Sequence, residues 1–193
     1  MVAITWVKPR GAEYASVNID EGRLHASGVA IGASPLPYHL YYELTCGDDY
    51  VTRSLHVRTT GPDWSRGLQL NRHDDGSWRV TADFAGAVDL SPPGGDPAVL
   101  AGALDCDLGE CPVTNTMPVL RHGLLAGGAP MEFVMAWISV PDLSVRASNQ
   151  RYTFLRRLDD GAVINYAADS FSADVRFDAD GLVTDYPGMA TRA

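Results

Sequence analysis

The sequence predicts a mainly β chain built on one large, curled antiparallel sheet with a single short helix, and three observations predict it. Asp-Gly pairs at Asp75-Gly76, Asp160-Gly161 and Asp180-Gly181 each fall between alternating segments. That is a strong hairpin signal, because Asp and Gly tolerate the positive φ of a primed turn. Apolar and polar residues alternate with period two along several runs, while the 3.6-residue period of an amphipathic helix is scarce.

Taken in chain order, the first reversal is "DEGR" at 20–23 and the next is "CGDD" at 46–49. Between them, "YHLYYELTC" puts Tyr38, Leu40, Tyr42, Leu44 and Cys46 on one face and His39, Tyr41, Glu43 and Thr45 on the other. Such a strand has one wet face. The stretch "SPPGGDP", Ser91 to Pro97, is a surface loop by composition. "MEFVMAWISV" is apolar on both sides, with Phe133, Met135 and Trp137 opposite Val134, Ala136, Ile138 and Val140. It is therefore covered twice, by sheet and helix or by a second copy of the chain. In "FSADVRF", Phe171, Ala173, Val175 and Phe177 oppose Ser172, Asp174 and Arg176.

"LDCDLGECPVTNTMPVLRH", Leu104 to His122, breaks this pattern. Thr114 or Asn115 can cap a helix there, Pro118 fits its first turn, and Gly123 or Gly127 can end it. An antiparallel sheet of many strands curls to bury its apolar face, and a curled sheet that does not close needs a plug. The helix supplies one. Where it fills only part of the concavity, an apolar cavity lined by Tyr, Phe, Met and Trp remains, suited to a lipid or another greasy ligand.

The totals narrow the classes. A chain of 193 residues fits a single domain, residues 1–193, and 46% hydrophobic with 20% charged residues is ordinary globular composition. No apolar run is long enough for a membrane span. The formal charge is −9, with fourteen arginines and one lysine, Lys8, and no basic run longer than Arg156-Arg157. No nucleic-acid partner is expected on that ground, since a phosphate backbone demands a basic face. "MVAITWVKPRGAEY" lacks a basic segment followed by an apolar one, which predicts a cytoplasmic location. Cys46, Cys106 and Cys111 are odd in number and lack CxxC spacing, so reduced, buried thiols are expected.

Asp105 and Asp107 share a face if their segment is a strand, and His122 follows at the helix end. Three roles stay open for the carboxylates: accepting the free N–H groups of the helix, touching a ligand, or acid/base catalysis. His25, His39, His56, His73 and His122 show no HxH or HExxH spacing, and no nucleophile elbow, phosphate loop or dinucleotide fingerprint occurs. No metal and no cofactor is expected. Arg53, Arg58, Arg121, Arg146 and Arg151 lie in or beside regular elements and are expected to pair with Glu13, Glu43, Asp105 or Asp107, or to meet a polar head group at a cavity mouth. The expected ligand-contacting residues are Tyr42, Phe133, Met135, Trp137 and Tyr152 on the inward faces, with Arg53, Arg121 and His122 for the head group. If the cavity is catalytic, for an isomerase or cyclase type of reaction, Asp105, Asp107 and His122 are the acid and base.

"LDCDLGECPVTNTMPVLR", "VPDLSVRASNQRYTFL" and "FDADGLVTDYPG" together resemble the bacterial putative glycolipid-binding family, over about Glu13 to Pro187. The most specific pieces are Asp105-x-Asp107-Leu108, Pro112-x-Thr114-Asn115-Thr116-x-Pro118 and Gln150-x-Tyr152-Thr153. The resemblance implies a spiral β-roll, a many-stranded sheet wrapped round one central helix, and a homodimer. It also implies a glycolipid-like ligand and no catalytic motif. Asp105, Asp107 and Asn115 are then expected to satisfy backbone groups where the chain leaves the sheet for the helix.

Overall fold

The computed structural model describes residues 1–193. Fourteen strands form one continuous sheet. In chain order they are β1 (Val2–Lys8), β2 (Gly11–Asp20), β3 (Arg23–Gly32), β4 (Tyr38–Cys46), β5 (Thr52–Thr60), β6 (Ser65–Arg72) and β7 (Trp78–Ala85). The second half holds β8 (Asp105–Leu108), β9 (Met131–Ile138), β10 (Val145–Leu158), β11 (Gly161–Ala168), β12 (Phe171–Asp178), β13 (Val183–Tyr186) and β14 (Ala190–Arg192). Their spatial order is β7-β6-β5-β4-β3-β2-β1-β14-β13-β12-β11-β10-β9-β8. Hairpins link sequence neighbours almost throughout, and the chain termini meet where β1 pairs with β14.

Local chemistry explains the hairpins. Gly22, Gly76 and Gly181 each take φ between 76° and 84° in their turns, which a side chain would resist. The predicted faces are observed on β4, where Leu40, Tyr42, Leu44 and Cys46 are buried and alternate with exposed residues. One glycine is fixed by packing instead. A Cβ on Gly28 in β3 would lie 2.4 Å from the Tyr42 ring, which covers it from its cross-strand position.

The sheet curls without closing. Strand β8 ends the strand order at one side, yet its lead-in touches β5 near the other: Thr52 N donates to Leu104 O at 3.1 Å, and Cys106 N donates to Thr52 Oγ1 at 3.1 Å. One apolar core of 29 buried residues lies mainly within β1–β8, and a second of 11 lies mainly within β9–β13. The six-residue helix α1, Thr116–Arg121, joins them. Its Met117 belongs to the first core, where the Cys46 thiol donates to Met117 Sδ at 3.1 Å, and its Val119 belongs to the second.

The fold departs from two expectations. The sheet is not wholly antiparallel, because β8 runs parallel to β9; the chain passes through α1 before returning, so it re-enters in the same direction. The helix start is not capped by Asn115, which makes no side-chain cap bond. A 3-10 turn, Pro112–Asn115, leads into α1 instead. As for β9, it is covered within the chain, with Met135, Ala136 and Ile138 all buried.

Candidate functional site

A cavity of about 580 Å³ lies where β8 leaves the sheet and faces the ends of β9 to β13. Asp105 and Asp107 on β8 point to one side, as strand geometry requires, and are paired across to Met135 and Trp137 of β9. Only Asp107 reaches the cavity. Around it stand Asn115, Trp137, Arg146, Ser148, Tyr166, Phe171, Tyr186 and Met189, with Glu110 and Asp169 at the margins. Glu110 sits in the left-handed turn that ends β8, φ 62°.

The two aspartates are held differently. Asp105 is 1% exposed and forms a two-pronged ion pair with Arg121, whose Nη1 donates to Oδ1 at 2.9 Å and whose Nη2 donates to Oδ2. Asp107 has no cation in contact: Thr114 Oγ1 donates to its Oδ1 at 3.0 Å and Gln150 Nε2 to its Oδ2 at 2.6 Å. Burial pushes the Asp107 carboxyl above its ordinary range, and the bonds from Gln150 and Thr114 only partly oppose this. Both aspartates and Asn115 were expected to receive backbone N–H groups of the helix. Side chains take that place, since Asn115 Oδ1 accepts from the Tyr152 hydroxyl at 3.2 Å. The segment's polarity is thus spent on tertiary contacts rather than on caps.

An aromatic run crosses the floor of the site. His122, Phe133, Tyr152, Tyr166 and Tyr186 follow one another with ring centroids 4.9 to 5.9 Å apart, and Phe171 lies 6.0 Å from Tyr166. Burial raises the phenol pKa of Tyr152, Tyr166 and Tyr186, so each stays a neutral hydroxyl. On the wall, the Arg146 guanidinium stacks over Trp137 at 4.4 Å and lies 3.6 Å from Asp169.

Of the residues expected at a ligand, Trp137 and Asp107 line this cavity, and Tyr152 lies beneath it, bonded to Asn115. Tyr42 is fully buried, its hydroxyl donating to Glu13 Oε1 at 2.9 Å, and Met135 is packed in the second core. Phe133 lies against Tyr152 and His122, and lines a separate depression with Gln150. Arg53 sits on another part of the surface, paired with Asp74. Arg121 is spent on Asp105, and His122 beside it is exposed, its pKa lowered by desolvation and by Arg121. The expected arginine pairing holds for Arg121 and Asp105; Glu13 is taken by Lys8 instead, at 2.5 Å.

Arg146, one of the arginines expected to pair or to meet a head group at a cavity mouth, lines the cavity, whereas sequence reasoning missed Asn115, Tyr166, Phe171 and Tyr186 as cavity residues. The alternation of β11 put Tyr166 in phase with Ile164 and Ala162, which marked it as inward-facing. It also missed a second cavity of about 440 Å³, which shares Glu110, Val140 and Gly188 with the first and runs on to Lys8, Ser34 and Tyr38.

A family model described as "Putative glycolipid-binding" matches residues 3–192. Among solved structures, the chain is similar to a DUF1089 family protein from Pseudomonas aeruginosa, with 29% identity over 94% of this chain and 92% of that one and a TM-score of 0.68. No curated protein matches the chain.

Proposed function

Because the chain belongs to the family described as putative glycolipid-binding, we propose that it binds an amphipathic, glycolipid-like molecule, with the uncharged, hydroxylated head in the cavity beside Asp107. The observation that carries this is the make-up of the cavity wall. Aromatic faces at Tyr166, Phe171 and Tyr186 stand beside Asp107, Asn115 and Ser148, whose side chains carry hydrogen-bonding groups. Sugar rings present apolar faces and polar edges, and such a wall offers both. Three carboxylates, Asp107, Glu110 and Asp169, face a single guanidinium, Arg146. That balance disfavours a phosphate head. The volume falls in the roughly 300–1,000 Å³ range of small-molecule sites.

In this reading the curled sheet is a spiral roll around α1, one domain over residues 1–193, and the protein is a homodimer; both rest on the family resemblance. The chain contains no helix long and apolar enough to cross a membrane. Delipidated protein titrated with an alkyl maltoside below its micellar concentration should show saturable quenching of tryptophan fluorescence. Trp137→Ala should weaken that uptake about tenfold or more, the loss expected for one ring contact of a buried ligand. Equal uptake of a lysophosphatidylglycerol, or none of either probe, would refute the head-group assignment. Light scattering that returns a monomer would refute the dimer.

A second reading is favoured by one specific feature. Asp107 is a buried carboxyl without a cation, lining a cavity, and its raised pKa would suit a general acid. A reaction on an apolar substrate, of isomerase or cyclase type, would then be lost in Asp107→Asn while binding of the maltoside persisted.

A further inference from the structure

A row of directly opposed residues crosses the inner face of the first half of the sheet. It runs from Trp6 on β1 through Glu13, Ala30, Leu40 and Thr59 to Arg66 on β6 and Phe84 on β7. From Trp6 to Arg66 every member is at least nine-tenths buried. Arg66 is 4% exposed. A guanidinium keeps its charge in any protein environment, and burying that charge is costly unless it is paired.

Arg66 has no such pair. The ion pairs of the chain use Lys8 and Arg23, Arg53, Arg58, Arg121, Arg146 and Arg192 as cations, and Arg66 Nε has no hydrogen-bond partner. Two acids near this end of the row are committed elsewhere. Asp83 faces the opposite side of β7 and pairs with Arg58, while Asp142 accepts from Ser144. Glu13 shares the row but lies four strands away, about 19 Å at the usual strand spacing, and is paired with Lys8. Thr59, directly opposite, spends its hydroxyl on Pro141 O at 2.7 Å.

The one specific contact of the guanidinium is the Phe84 ring, 5.2 Å away. Phe84 is 65% exposed and sits on the outermost strand. The ring over the guanidinium is therefore itself solvent-facing. We propose that Arg66 anchors an oxyanion site at the β7 edge of the sheet, taking a carboxylate or a phosphate group in the planar fork of the guanidinium. Arg66 lines neither of the cavities assigned to the glycolipid-like ligand, so the two sites stand or fall separately.

The test uses wild-type protein labelled with 15N-arginine, titrated with sodium phosphate and, separately, sodium acetate at constant ionic strength. The Arg66 Nε–H resonance is identified as the one displaced in Phe84→Ala, which keeps the guanidinium and removes the ring above it. Saturable movement of that resonance is expected, together with a melting temperature that rises with anion concentration in wild type and stays flat in Arg66→Met. Response to both anions marks a general oxyanion site, and response to one alone fixes its source. An Arg66 signal unmoved by either anion would overturn the proposal even if Arg66→Met failed to fold. So would an equal thermal response in a folded Arg66→Met.

Discussion

Asp105 and Asp107 sit two residues apart on the same face of β8, yet replacing each by Asn should move stability in opposite directions. Asp105 is locked to Arg121, both side chains being less than a tenth exposed. Asp105→Asn leaves a buried guanidinium without its counter-ion and should cost about 3–5 kcal/mol, the usual penalty for halving a buried pair. Asp107 has only neutral donors around it. Asn at 107 still accepts from Thr114, and its new NH₂ meets a Gln150 side chain whose Oε1 is without a partner. Rotating that amide about its last bond turns a lost bond into a gained one. Two charge-assisted bonds become neutral ones, at about 1 kcal/mol each. Against that stands the removal of an ion whose burial costs several kcal/mol. Asp107→Asn should therefore be neutral or stabilising, by up to about 2 kcal/mol near neutral pH.

The pH dependence supplies a second readout. The folded-state pKa of Asp107 is raised above its ordinary value of 3.8, so the folded protein binds more protons than the unfolded one once pH passes that value. Stability from this group is complete below the unfolded pKa and is lost as pH rises toward the folded one. Urea unfolding of wild type and Asp107→Asn from about pH 4 to about pH 8 should show the variant gaining on wild type as pH increases. A variant that stays more than about 2 kcal/mol less stable than wild type near neutral pH, or one that loses ground on wild type as pH rises, would refute the assignment of Asp107 as an uncompensated buried carboxyl.

Lys8→Met strands Glu13, which is 2% exposed, and should lower stability by about 3–5 kcal/mol; the double variant with Glu13→Gln should recover much of it in the same urea assay. Gly28→Ala drives a methyl into the Tyr42 ring and should cost about 1–3 kcal/mol, read as a lower melting temperature, while Tyr42→Ala in the same chain should make the added methyl harmless relative to Tyr42→Ala alone. Burial pushes the Cys106 thiol up to about 12 and Cys111 well above its usual value. Neither should react with iodoacetamide in the folded protein at neutral pH, and both should react in denaturant; rapid native labelling of Cys106 would show that the core opens there.

Strand existence, turn positions and inward faces were legible in the sequence because each depends on chemistry within a few residues. The alternation in "YHLYYELTC" is the burial pattern of β4, and the Asp-Gly pairs are the turns before β7, β11 and β13. The parallel pairing of β8 with β9 was not legible, since it depends on where the chain returns after α1. Tyr42 and Met135 were assigned to a ligand because they face inward. The curled sheet fills most of that inside with its own side chains, so facing inward does not mean facing a cavity.

The charges carry a signal of their own. Glu13 falls in phase with Ala15 and Val17 on β2, and Arg66 with Leu68 and Leu70 on β6, so period-two reasoning already placed both on buried faces. An ionised side chain in the phase of an apolar face must find a counter-charge, a proton or a ligand. Glu13 finds Lys8 and Asp105 finds Arg121. Asp107, with hydrogen bonds but no cation, can take the second route and hold a proton. Arginine cannot give up its proton, so for Arg66 only the first and third routes exist. The chain itself offers it no counter-charge, and a bound oxyanion at the β7 edge is what remains.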